Sequence, residues 1–314
     1  MRTFALLASV LLFACGPSTR GDDGPGNGNT SPDANGNGSG SGSGNQDGCS
    51  DAAKLIYVID SNNKLSSFDG ATKTFKDLGT LSCPAASGAQ PFSMGVDRNA
   101  MAYVLYSGVD QLTGSVTSTE IFKVDTTQAN LPCTKTSFSG TAEFKQFGMG
   151  FSTDSAQSTN DTLFIVGSPG VGMGSTKMAT LDVTSMAVTM KGPVTGDPEL
   201  TGTGSAELWG FFPSDTTGAT DPKVAKLDKA TGATSTSYTL ATLKGIPAAW
   251  AFAFWGGDYW VFLAKSSGGI FPTIGKTVVY QVDGTTGMIK GQTDTMTRTI
   301  VGAGVSTCAP VVIL

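Results

Sequence analysis

Between residues 92 and 306 a six-residue segment recurs five times at intervals of about 50 residues, always with a small residue at its second and fourth positions. The copies are FSMGVD (92–97), FGMGFS (147–152), LTGTGS (200–205), WAFAFW (250–255) and VGAGVS (301–306). The second positions hold Ser93, Gly148, Thr201, Ala251 and Gly302, and the fourth hold Gly95, Gly150, Thr203, Ala253 and Gly304. In a strand, residues two apart share a face. Each copy therefore presents one face without bulk, and five such faces require five close approaches between sheets. Sheets arranged radially about an axis supply them, because they converge most closely at their innermost strands.

A second element alternates with the first. It is an apolar strand ending in Asp before a Thr- or Ser-rich turn: LSSFD (65–69), IFKVD (121–125), MATLD (178–182), VAKLD (224–228) and YQVD (280–283). A carboxylate at a strand end accepts backbone N–H groups of the turn, so these aspartates are expected to be structural. With 42 glycines and short apolar runs bounded by turn residues, the chain reads as all-β. The two elements together resemble a β-propeller of five four-stranded blades. The order of the elements implies how the ring closes. VGAGVS has no Asp-ending strand after it, while LIYVID (55–60) and LSSFD have no small-residue strand before them. The C-terminal strand is thus expected to complete the N-terminal blade. This resemblance is to a fold and carries no activity with it.

The first 48 residues are of another kind. Arg2 precedes an apolar run of about eleven residues ending at Ala14, the length of a signal peptide and too short for a membrane span. Leu12-Phe13-Ala14-Cys15 resembles the bacterial lipobox, which implies cleavage after residue 14 and a lipid on Cys15. Gly16 follows where Asp would imply inner-membrane retention, so the expected location is the cell envelope, at the outer membrane. Residues 15–48 contain no aliphatic or aromatic side chain larger than alanine apart from the prolines and are expected to form a tether with a reach of roughly 30 Å. The domains expected are 1–14, 15–48 and 49–314.

With Cys15 assigned to lipid, Cys49, Cys83, Cys133 and Cys308 remain. An even number in an exported chain implies two disulfides, with three connectivities open. The propeller arrangement implies Cys49–Cys308, where the chain ends meet, and Cys83–Cys133, near the outer strands of the first two blades. Cys and His are not clustered as a metal site requires, so neither metal nor cofactor is expected.

The chain lacks histidine, which excludes Ser-His-Asp and Cys-His nucleophile activation. A net charge of −5 without a Lys/Arg cluster excludes nucleic acid as partner. The small-residue strands offer Asp97, with Glu199 just before LTGTGS, and no carboxylate triad of the kind propeller glycosidases use. No catalytic residue is therefore assigned, and Asp97 reads as a turn cap. Candidate ligand-binding residues come from the long loops between second and third strands, at 106–119, 167–176, 213–222 and 264–276. These carry Tyr106, Asp110, Asp215, Asp221, Lys265 and Phe271, and loops on a rigid scaffold often hold function. In WAFAFWGGDYWVF, Trp250, Phe252 and Phe254 share a core face, while Trp255 shares the small-residue face and is a further candidate at the channel mouth. The expected function is non-catalytic binding or scaffolding, with a glycan, peptide or envelope protein as partner. The alternatives are a carboxylate- or Ca²⁺-dependent hydrolase or lyase, and an accessory part of an envelope assembly.

Overall fold

The computed structural model describes residues 49–312 apart from 157, 171–174, 269–272 and 296. Cys15, the signal segment, the tether and Phe271 lie outside the described residues. Among the described residues, twenty strands form five four-stranded antiparallel sheets arranged as the blades of a propeller. Blade 1 contains β1 (Ile56–Asp60), β2 (Lys64–Asp69) and β3 (Thr74–Thr80). Blade 2 is β4 (Gln90–Val96), β5 (Met101–Val109), β6 (Val116–Asp125) and β7 (Cys133–Lys135). Blade 3 is β8 (Gln146–Thr153), β9 (Asp161–Ser168), β10 (Lys177–Leu181) and β11 (Val188–Pro193). Blade 4 is β12 (Glu199–Gly202), β13 (Leu208–Phe212), β14 (Lys223–Leu227) and β15 (Thr234–Thr239). Blade 5 is β16 (Pro247–Trp255), β17 (Asp258–Lys265), β18 (Val278–Asp283) and β19 (Ile289–Asp294). The last strand, β20 (Ile300–Gly304), is the innermost strand of blade 1 and pairs with β1 through Tyr57↔Gly304, Val58↔Ala303 and Ile59↔Gly302. The ring closes as the order of the repeat implied.

The small-residue segments are the innermost strands, and their glycines show why bulk is excluded. A Cβ on Gly148 would sit 2.1 Å from the Pro198 carbonyl oxygen, and one on Gly150 would sit 2.8 Å from Leu200. On the closing strand, Gly302 and Gly304 meet Ser93 and Gly95 of blade 2 at 3.0 and 3.1 Å. Between each neighbouring pair of blades lies one hydrophobic cluster. Tyr57, Ile59 and Leu65 pack on Val104 and Phe122 between blades 1 and 2, and Val58 and Phe68 pack on Trp260 and Phe262 between blades 5 and 1. Apolar burial is thus continuous around the ring.

The Asp-ending strands are the third of each blade, and their aspartates do cap the following turns. Asp228 Oδ1 accepts N–H groups of Ala230 and Thr231 at 3.0 and 2.8 Å and the Thr231 hydroxyl at 2.8 Å. Asp69, Asp125, Asp182 and Asp283 repeat the pattern. Asp97 caps the β4–β5 turn through the N–H groups of Asn99 and Met101. Both disulfides form: Cys49–Cys308 joins residues 259 apart where the ring closes, and Cys83–Cys133 joins the segment after β3 to the outermost strand of blade 2.

Candidate functional site

The innermost strands all begin on one face of the ring, the face that also carries the loops between second and third strands. Three of those loops are shorter than the sequence implied, the one after β9 (ending at Ser168) by two residues. β5 runs to Val109 and β17 to Lys265, so the connections begin at 110 and 266. Tyr106 is accordingly not a loop residue. It sits in β5, is 2 % exposed, packs edge-on against Phe122, and donates its hydroxyl to Asn63 Oδ1 at 2.7 Å. Burial pushes its phenol up to about 12. This corrects its reading as a loop residue open to a ligand: its side chain is taken up by the blade 1–blade 2 packing.

Trp255 requires a second correction. It ends β16, on the opposite face from the long loops. Its Nε1 donates to the Lys54 carbonyl at 2.8 Å, and its ring lies where a Cβ on Gly70 would fall, 2.6 Å away. Trp255 ties blade 5 to the start of the folded chain. Asp110 is exposed but committed to its own turn, accepting from the Leu112 and Thr113 N–H groups and the Thr113 hydroxyl, and those bonds hold its carboxyl below the usual range.

Asp215 and Asp221 are brought together. They border a groove of about 420 Å³ whose other walls include Asp197, Ser214, Lys223 and Trp250. Asp215 accepts from the Thr217 hydroxyl and N–H and the Ala219 N–H, which keeps it below the usual carboxyl range, and Asp221 pairs with Lys244 at 3.3 Å. Lys265, at the end of β17, donates to the Lys244 carbonyl at 3.0 Å, and burial lowers its pKa.

Trp250 separates this groove from a half-open recess of about 80 Å³ at the channel mouth, lined by Pro91, Phe92, Ala249, Val301 and Glu199. Glu199 is the first residue of β12 and is 2 % exposed. Ser93 Oγ donates to its Oε2 at 2.8 Å, and the backbone N–H of Met149 donates to the same carboxyl. Ser93 lies on β4, two blades away, so this bond crosses the channel. Burial raises Glu199 well above the ordinary carboxyl value, outweighing the two donors that favour its ionised form. A second, smaller space of about 10 Å³ joins Glu199 to Gln146, Phe147 and Asp197, about the room one water needs. Trp250 donates its Nε1 to the Asp197 carbonyl at 3.1 Å, which fixes the indole between recess and groove.

Sequence reasoning placed Glu199 beside the inner strand of blade 4 without giving it a role, and it left Trp250 and Phe92 out of the site. A signal was present. Glu199 falls one step before the six-residue frame, where the other copies hold Pro91, Gln146, Ala249 and Ile300. By alternation that position shares the small-residue face. At the opposite face the C-terminal segment is packed in: Ser306 donates to the Ala53 carbonyl and Thr307 to Asp161, while Arg98 holds Asp161 at 3.1 Å.

No family model matches the chain, and no curated protein resembles it in sequence. Among solved structures, the fold is similar to a glycoside hydrolase family 43 arabinoxylan arabinofuranohydrolase from Bacillus subtilis in complex with cellotetraose, at 12% identity and a TM-score of 0.46. That match covers 67% of this chain and 53% of the hydrolase. An exo-β-1,3-galactanase from Clostridium thermocellum matches at 9% identity and a TM-score of 0.45, over 76% of this chain and 52% of that one. A mannose phosphorylase from Leishmania mexicana in complex with phosphate ion matches at 11% identity and a TM-score of 0.45, over 71% of each chain. The chain thus spans about half the length of the two hydrolases it matches.

Proposed function

We propose that this chain is an exported lipoprotein, anchored through Cys15 at the outer membrane, whose propeller binds a glycan, peptide or envelope protein without turning it over. The observation that carries this reading is the groove of about 420 Å³ joined across Trp250 to the recess at Glu199. A groove of that size lies in the range of small-ligand sites. It is built on a fixed frame: Asp215 is held by its turn, Asp221 by Lys244 and Trp250 by the Asp197 carbonyl. Groups committed in this way present a set shape to a ligand and have little freedom to shuttle protons.

A pull-down with residues 49–314 against envelope extracts, glycans and peptidoglycan tests the proposal. Saturable capture, weakened by Trp250→Leu or Asp221→Asn, is the expected result. Absence of capture alongside turnover of a screened substrate would overturn it.

One observation favours a hydrolase as the second reading. Glu199 is held toward its protonated form, as a general acid requires, and Asp197 lines the same small space. The described residues contain no group of three His, Cys, Asp or Glu placed to hold a metal, so this reading rests on the carboxyls and does not call on Ca²⁺. Turnover abolished by Glu199→Gln would establish it. Co-purification with an integral membrane barrel would instead favour a role in an envelope assembly.

A further inference from the structure

We propose that the recess at Glu199 is a binding pocket for a primary alkylammonium group, as carried by a lysine side chain or free amino terminus of a peptide partner. The inference rests on the binding reading above and names its ligand chemistry. It begins from the composition of the pocket. Glu199 is its one ionisable side chain, 98 % of it is withdrawn from solvent, and no Lys or Arg is among the residues lining it. The hydrogen bonds from Ser93 Oγ and the Met149 N–H are both donated to the carboxyl, so they favour its ionised form against the cost of burial.

The remaining wall suits a cation. Phe92 and Trp250 are the aromatic side chains lining the recess, and the Nε1 bond to Asp197 holds the indole in place. Aromatic faces attract an ammonium most strongly where water is excluded. Pro91, Ala249 and Val301 complete an apolar collar that matches the methylene stem of a lysine. The space is several times that needed for a single water. An anionic group would meet Glu199 and, through the adjoining space, Asp197. A neutral hydroxyl would satisfy a hydrogen bond but could not stabilise the ionised form of Glu199, as an ammonium does.

Binding is also coupled to protons. The groups facing Glu199 are the Ser93 hydroxyl from β4, the Met149 N–H from β8 and Asp197 from the segment before β12; the parts of β16 and β20 lining the recess bring no titratable side chain. An arriving ammonium stabilises ionised Glu199, so below the raised pKa it displaces a proton into solution.

The experiment uses the full chain and two probes of similar shape, n-butylammonium and 1-butanol, followed by NMR of the Trp250 indole N–H assigned with Trp250→Phe. The ammonium should shift this signal saturably and bind at least about tenfold more tightly than the alcohol. Glu199→Gln should abolish that preference and still admit butanol, which shows that the pocket remains folded. Titration calorimetry in buffers of different ionisation heat should record proton release on binding at pH 5.5. Equal binding of the two probes, a preference retained in Glu199→Gln, or no shift with either probe would overturn the inference. Capture of an envelope partner that survives acetylation of the partner's amines would overturn it too, while leaving the binding module standing. No captured partner, with butylammonium bound as expected, would remove the module reading alone.

Discussion

Glu199 concentrates the chemistry of the molecule in one side chain. Its folded pKa is raised by burial from an ordinary 4.5, so the folded chain holds the proton more tightly than the unfolded chain does. The stability contributed by the neutral carboxyl is complete below pH 4.5 and is lost as pH rises through the raised value. Glu199→Gln stays neutral at every pH. Its stability relative to the parent should therefore increase steadily above pH 4.5, read as urea midpoints from pH 4 to 9. A difference that does not change with pH would mean that the carboxyl titrates alike in folded and unfolded chains. Butylammonium supplies a second arm. By pairing the ionised carboxylate it should raise the parent's midpoint at pH 8 well beyond any rise in Glu199→Gln. Tyr106 has the opposite character: its hydroxyl is spent on Asn63 inside a blade interface, and Tyr106→Phe should weaken folding by about 0.5–1.5 kcal/mol without altering capture of any partner.

At the scale of the element, the innermost strand is where sequence and geometry meet most directly. A Cβ on Gly148 has nowhere to go, because the Pro198 carbonyl and Glu199 Cα stand 2.1 and 2.8 Å away and both are backbone. Gly148→Val should destabilise the chain by about 1–3 kcal/mol or more through overpacking. Because β12 must shift to accept the methyls, the change should also disturb the Glu199 recess, visible as an altered Trp250 indole signal. An unchanged melting temperature would show that the strands are not in close approach. This constraint is also why the strands were legible: a two-residue period of small side chains reflects the nearest neighbouring backbone, and that neighbour is set by the ring. The site was less legible for the same reason inverted. Tyr106 and Trp255 were chosen from alternation and loop length, but their fates depend on what a neighbouring element offers. An acceptor on Asn63 drew Tyr106 inward, and the Lys54 carbonyl with the bare Gly70 drew Trp255 onto blade 1. Trp250 shares its face with the buried Phe252, yet it stands near the start of β16, where the blade opens on the channel mouth, and so it borders both recess and groove.

A ring of blades has one covalent weakness, the place where its ends meet. Here that place is sealed by the β1–β20 pairing, by Val58 and Ala303 in the cluster shared with blade 5, and by Cys49–Cys308. In the chain-entropy picture a cross-link restrains the unfolded chain in proportion to the logarithm of the loop it closes. The 259-residue separation at the seam and the 50-residue separation of Cys83–Cys133 then correspond to upper bounds of about 5.5 and about 4 kcal/mol. Removing the seam bond should therefore cost more than removing the other. The consequences should also differ in kind. Cys83 and Cys133 join neighbouring blades that already share a large apolar cluster, including Leu65, Val104 and Phe122, so their replacement by serine should lower global stability and leave the native pattern of protection intact. Replacement of Cys49 and Cys308 frees β20 to peel from β1, and the channel wall at Val301 goes with it. Hydrogen exchange in that variant should accelerate at 56–60 and 300–304 before it does so in blades 3 and 4, and butylammonium affinity should fall although no residue of the pocket has been changed. Uniform acceleration across all five blades would instead mean that the propeller opens only as a whole, and that the seam is as strong as any other junction in the ring.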